Sequence, residues 1–218
     1  LSEIDFHRAV IMANEMLVRA GIKSYPFDPI PVVKLIPNCV CRKYATARKW
    51  GVNIESFGSE SAIIVEMEGK NIIFYDESKP QCHINFSILH ELGHLVLKHP
   101  LNCKNLSPAS YHRYEVEANY FAAQMLMPMS LIAALRCRQL TIIQHFLVQH
   151  FGVSSDAATK RLNTMRNMSN ISLAHSEREY DDIIVSLANS FMESIRPSYS
   201  FFDYAYEEDM QRRRESWM

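Results

Sequence analysis

His90-Glu91-Leu92-Gly93-His94 sets two imidazoles four residues apart with a carboxylate beside the first. On a helix, positions i and i+4 share a face, so both rings can reach one metal ion while Glu91 points toward a water bound to it. The chemistry this pattern serves is zinc-assisted hydrolysis of an amide bond. A catalytic zinc takes three protein ligands and keeps a fourth position open, so a further donor must come from elsewhere. Glu115-Val116-Glu117-Ala118-Asn119 offers it. Glu115 and Asn119 are again at i and i+4, which makes Glu115 the expected third ligand and Asn119 a neighbour suited to hydrogen-bond a ligand. Glu117 lies about 200° round the helix from Glu115 and is expected to be a solvated helix-face carboxylate. The metzincin spacing is excluded, because Leu97 and Pro100 stand where that pattern wants glycine and a third histidine. His99 is then expected at the surface, at a helix end where its cationic form is mildly favoured by the dipole.

These residues need elements to hold them. Ile84, Ile88, Leu92, Leu95 and Val96 recur at helical spacing, predicting a helix over 84–98 with one buried stripe and His90, Glu91 and His94 on a neighbouring face. A second long helix is expected over 111–126, stopped by Met127-Pro128. Two β-rich runs, 62–67 and 72–75, flank Glu68-Gly69-Lys70-Asn71 and predict a hairpin just before the motif helix. A strand edge and the zinc ligands would then be neighbours, so an extended peptide could pair with the edge and present its scissile bond to the metal. Upstream, residues 6–20 repeat apolar side chains as an amphipathic helix ended by Gly21. A proline-bearing connection over 25–31 and a short helical or irregular stretch over 32–36 follow.

Beyond Pro128 the patterns are helical, which places a soft boundary near residue 129. Over 140–165 the sequence reads as helix, turn and helix, with Phe151-Gly152-Val153-Ser154-Ser155 at the turn and Ser154 or Ser155 free to cap the second helix. Lys160, Arg161 and Arg166 give that helix positive charge, so DNA contact is one role for it and packing or substrate recruitment another. Residues 176–195 carry Ile184, Leu187, Phe191 and Ile195 on one stripe. An aromatic and acidic tail, 199–209, follows and leads to Arg212-Arg213-Arg214.

With 218 residues, 48% of them hydrophobic, the chain can bury a sizeable core. A net charge of −1 excludes a strong whole-molecule attraction to nucleic acid or to an anionic membrane. No run of about 18 consecutive apolar residues and no leader pattern is visible, so neither a membrane span nor secretion is expected. Cys39, Cys41, Cys82, Cys103 and Cys137 are odd in number and form no CxxC pair, which fits free thiols in a reducing cytoplasm.

Phe86-Ser87-Ile88-Leu89-His90-Glu91-Leu92-Gly93-His94, Glu115-Val116-Glu117-Ala118-Asn119-Tyr120-Phe121-Ala122-Ala123 and Leu126-Met127-Pro128 together resemble the ImmA/IrrE family of HExxH metallopeptidases, over roughly residues 5–165. The resemblance implies an α+β fold: a zincin-like domain over 1–129, with a small β-sheet packed on the HExxH helix and a second ligand-bearing helix. An all-helical part would follow over 130–218. It implies zinc held by His90, His94 and Glu115, with Glu91 as general base for attack of a zinc-bound water. It also implies a bacterial or mobile-element setting and a protein substrate, usually a transcriptional repressor or another regulatory protein. The segment His83-Ile84-Asn85-Phe86-Ser87 departs from the arginine-rich, Phe-Thr lead-in of many relatives, which bears on substrate preference. Tyr111, His112 and Tyr114 are close enough to Glu115 to be considered as oxyanion donors. The expected function is a cytoplasmic zinc endopeptidase. The alternatives are a peptidase-like regulator acting by DNA or protein binding, and a component of a toxin–antitoxin module.

Overall fold

The computed structural model of the chain describes residues 4–57, 61–101, 106–168 and 175–195. Cys103 and the tail expected over 199–209, with Arg212 to Arg214, lie outside them. The fold is mixed α+β: a three-stranded sheet set among helices.

Helix α1 (Phe6–Ala20) starts where Asp5 accepts the Arg8 N–H at 2.8 Å and ends at Gly21, as its periodicity predicts. A short α2 (Pro29–Val33) leads into β1 (Cys39–Lys43), a strand that the sequence reading did not anticipate, and then α3 (Tyr44–Lys49). The hairpin is present as β2 (Ala62–Met67) and β3 (Lys70–Tyr75), but its turn is tighter than the four residues expected. Met67 pairs with Lys70, leaving Glu68 and Gly69 at the turn with φ of 51° and 71°. Two consecutive positive φ values match the twist of the flanking strands, which is why the connection closes in two residues. The strand order is β1-β3-β2, with β1 parallel and β2 antiparallel to β3.

Alternation along β3 divides the core. Ile73 joins the main cluster, which includes Ile88, Leu89 and Leu92 of α4 (Gln81–Val96). Ile72 and Phe74 face the other way, onto Tyr44 and Ala47 of α3. Helix α5 (Pro108–Leu126) begins at the Ser107 cap and packs along both α4 and α1.

The chain continues through α6 (Met129–Cys137), α7 (Gln144–Phe151), α8 (Ser155–Met168), α9 (His175–Leu187) and α10 (Asn189–Ser194). The helix–turn–helix is α7 and α8. Gly152 between them has φ of 63°, and a Cβ there would stand 2.8 Å from Pro26, so both conformation and space demand glycine. Ser154 accepts the Ala157 N–H at 3.2 Å and caps α8. These helices share the main core: Leu147, Phe151, Ala158, Ile184 and Phe191 belong to the same cluster as Met16 and Leu17 of α1. The stretch Pro108–Cys137 is long and apolar enough to cross a membrane, but its most apolar window is 61% buried and Pro128 divides it into two core helices.

Arg161 is not part of a positive outer face on α8. It is 2% exposed and donates from Nε to the Met127 carbonyl at 2.8 Å and from Nη2 to Gln124 Oε1. Gln124 in turn donates to Asn14 at 2.7 Å, so one buried polar chain ties α8 to α5 and α1. Lys160 is exposed and paired with Asp156 at 2.8 Å. Replacing Arg161 by Leu strands a buried carbonyl and a buried amide, and should lower stability by about 2–4 kcal/mol in urea unfolding. A change under about 0.5 kcal/mol would contradict this account of α8.

Candidate metal centre

Helices α4 and α5 approach closely where α4 carries glycine. A Cβ on Gly93 would stand 3.1 Å from the Phe121 ring and 3.3 Å from Ala118 Cα, so the absent side chain sets how near the two helices lie. That proximity brings the three expected ligands together. His90 Nε2 and His94 Nε2 are 3.1 Å apart, His90 Nε2 lies 3.3 Å from Glu115 Oε2, and His94 Nε2 lies 3.5 Å from Glu115 Oε1. A tetrahedral ion bonded at about 2.0–2.2 Å needs ligand atoms about 3.3–3.6 Å apart. Two imidazole nitrogens and a carboxylate at these separations could hold a zinc-sized ion.

Surrounding groups aim the three candidate ligands. Phe86, one turn before His90, stacks on its ring at 6.3 Å between centroids, and the Asn119 side chain hydrogen-bonds the same imidazole. Of the three residues considered as oxyanion donors, Tyr111 hydrogen-bonds Glu115 and Tyr114 packs against the His99 ring at 4.6 Å. His112 is exposed.

Glu91 turns toward the sheet and accepts a hydrogen bond from the Ile64 N–H of β2. The Asp76 N–H donates to the Ser61 carbonyl at 2.9 Å, which makes 61/76 a bonded pair and, by antiparallel alternation, points the backbone polar groups of Ala62, Ile64 and Glu66 away from β3. The outer edge of β2 thus runs past Glu91. A cavity of about 410 Å³ is lined by Phe86 and Asn119, the two side chains that meet the His90 ring, together with Val116, Tyr120, Ala123, Ala157 and Lys160.

Electrostatics separates the two roles. Burial pushes the Glu91 carboxyl up to about 7, opposed by the charge of His90 and the Ile64 N–H. Burial, helped by the charge of His90, holds His94 down to about 3, so that ring stays neutral, as binding a metal would require. Burial also disfavours charge on His90, yet hydrogen bonding to Glu115 and the fields of Glu91 and Glu115 outweigh it and raise its pKa. The hydrogen bond with His90 holds Glu115 below the usual carboxylate range.

Two expectations are overturned. His99 is 5% exposed rather than a surface residue, and Glu117 is 5% exposed rather than solvated. His99 Nε2 lies 2.9 Å from Glu117 Oε2, and His99 Nδ1 lies 3.1 Å from His94 Nδ1. The cause is the way α4 ends. Lys98 takes a left-handed φ of 55°, its N–H reaches the Leu95 carbonyl at 3.0 Å, and the His99 N–H reaches back to the His94 carbonyl at 2.9 Å. This is the Schellman closure, which folds the second residue past the cap onto the last turn. Glu117 is drawn inward because α1 covers that face of α5: its Oε1 accepts the Asp5 N–H at 2.9 Å and lies 3.8 Å from Arg113 Nε. The usual signal for such a closure is glycine at the left-handed position, and here that position is lysine.

The sequence pattern of the peptidase family described as the IrrE N-terminal-like domain matches residues 47–163, from the end of α3 into α8. The chain belongs to this family. The matched region of the IrrE-like peptidase domain includes His90, Glu91, His94 and Glu115, and a metallopeptidase-type function follows from the family. No curated protein matches the chain.

A buried acid with a raised pKa binds a proton more tightly folded than unfolded, so it withdraws stability as pH climbs from about 4.5 to about 7. Glu91→Gln removes that dependence. In metal-free protein its stability advantage over the parent should grow by about 2 kcal/mol between pH 5.5 and pH 8, measured by chemical denaturation. An advantage independent of pH would contradict the burial of this carboxyl.

Proposed function

We propose that the chain is a zinc-dependent endopeptidase that cleaves a regulatory protein such as a transcriptional repressor. The convergence of His90 Nε2, His94 Nε2 and a Glu115 carboxylate oxygen beside Glu91 carries this reading. Zinc in that triangle would supply the Lewis acid that polarises the scissile carbonyl and acidifies the attacking water. Glu91, deprotonated, takes a proton from the water as its oxygen bonds to the carbonyl carbon, and returns it to the amide nitrogen as the C–N bond breaks. A raised pKa suits both halves of that task, since the group must gain and lose a proton near neutrality.

The surroundings favour a protein over a small substrate. An extended peptide laid along the outer edge of β2, where the Ile64 N–H already serves Glu91, would meet the Glu66 backbone and pass Glu91 with its scissile bond. The cavity lined by Phe86 and Asn119, which meet the His90 ring, would take an apolar side chain near that bond, held by Phe86, Val116 and Ala123. The choice of a regulatory protein rests on the family. A DNA-reading role for α8 is the weaker alternative, because Arg161 is committed to the core.

Glu91→Gln should retain one zinc per chain by elemental analysis, yet lower cleavage of a co-expressed helix-turn-helix repressor by about 10³-fold. His94→Ala should lose the metal and the activity together. Cleavage by the Glu91 variant at the parent rate would sink the assignment of Glu91 as base.

A further inference from the structure

We infer that Glu117 and His99 are positioning residues that fix the tautomer of His94, keeping the proton on Nδ1 and a bare lone pair on Nε2. The inference rests on the metal-site reading above and extends it to two residues outside the ligand set.

With Glu117 ionised and His99 neutral, as its burial favours, the proton accounting has one solution. Both oxygens of Glu117 face donors: Oε1 accepts the Asp5 N–H at 2.9 Å with Arg113 Nε at 3.8 Å, and Oε2 lies 2.9 Å from His99 Nε2. A carboxylate offers no proton, so His99 must donate through Nε2. A neutral imidazole has one N–H, so His99 Nδ1 is left as an acceptor. Among the described residues, the ring nitrogen it meets is His94 Nδ1 at 3.1 Å, which must therefore donate. His94 Nε2, which faces His90 Nε2 and Glu115, is then unprotonated and ready to bind a cation. The reverse tautomer would aim an N–H at the ion and leave two lone pairs facing each other at His94 and His99.

The chain of contacts is held rigidly. His99 is placed by the Schellman closure of α4, and its ring is clamped by Tyr114 at 4.6 Å, over which Arg113 lies at 4.6 Å. Glu117 is anchored by the backbone at the start of α1. A ligand whose other ring nitrogen is bonded through to a carboxylate is both oriented and made more basic. His90 is held differently: Phe86 stacks on it and Asn119 hydrogen-bonds its ring, while its buried Nδ1 has no hydrogen-bond partner among the described residues. His94 is thus the pre-set ligand of the pair, and α1 contributes to the site without touching it.

The direct test is the tautomer of His94 in the metal-free, full-length chain, read from two-bond ¹H–¹⁵N correlations of the imidazoles. The expected pattern is a proton on Nδ1 of His94 and on Nε2 of His99. A proton on Nε2 of His94 overturns the inference, whatever the variants do. In zinc titrations against a chromophoric chelator, His99→Phe should weaken binding by about 10- to 100-fold. His99→Asn, whose carbonyl can accept from His94 Nδ1, should recover most of the loss. Binding by the folded His99→Phe protein within about twofold of the parent also overturns it. If the parent chain takes up no zinc, the metal reading fails, and the tautomer measurement still decides the positioning role.

Discussion

The separation of α4 and α5 at Gly93 is the constraint on which the rest of the site depends. Two histidines one turn apart share a face on any helix, but a third donor from another helix reaches them only if the two backbones come close. Here the ring of Phe121 and the backbone of Ala118 occupy the space a side chain at 93 would need. The 3.1–3.5 Å triangle of His90, His94 and Glu115 follows from that contact. Around it, α1 closes the far side of α5, and Arg161 and Gln124 bind α8 to the same helix, so α5 is fixed from three directions.

The same packing that builds the site also strains it electrostatically. Glu91, His94, His99 and Glu117 are polar groups among apolar neighbours, and each is tolerable only because of a specific partner. Glu91 has the Ile64 N–H, His94 has His99, and His99 has Glu117. A folded protein optimised for stability alone would bury hydrocarbon at these positions. Retaining titratable groups there leaves a carboxyl that titrates near neutrality beside a neutral His94, a pairing that the proposed peptide hydrolysis would use.

Most of the scaffold could be read from periodicity and punctuation. The apolar spacing of α1 and α4, the stop at Gly21, the hairpin, the proline that ends α5 and the Gly152 turn are all local signals, and each matches an observed feature. The pair at i and i+4 on α5 pointed to Glu115, which does meet both histidines. What escaped was set by distant packing. Strand β1 owes its place to parallel pairing with β3 across some thirty residues of chain, for which a five-residue run gives little sign. Glu117 looked solvated because a helical wheel of α5 cannot reveal that α1 covers that face. His99 looked exposed because Lys98 adopts a left-handed conformation without the glycine that normally announces it.

The central claim is that one ion sits where α4 and α5 converge. Anomalous diffraction at the zinc edge from crystals of the zinc-loaded chain tests it most directly. The account predicts a single strong peak at about 2.0–2.2 Å from His90 Nε2, His94 Nε2 and a Glu115 oxygen, with His99 bonded to His94 and not to the metal. A peak coordinated by His99 or Glu117, or no peak between α4 and α5, would contradict it.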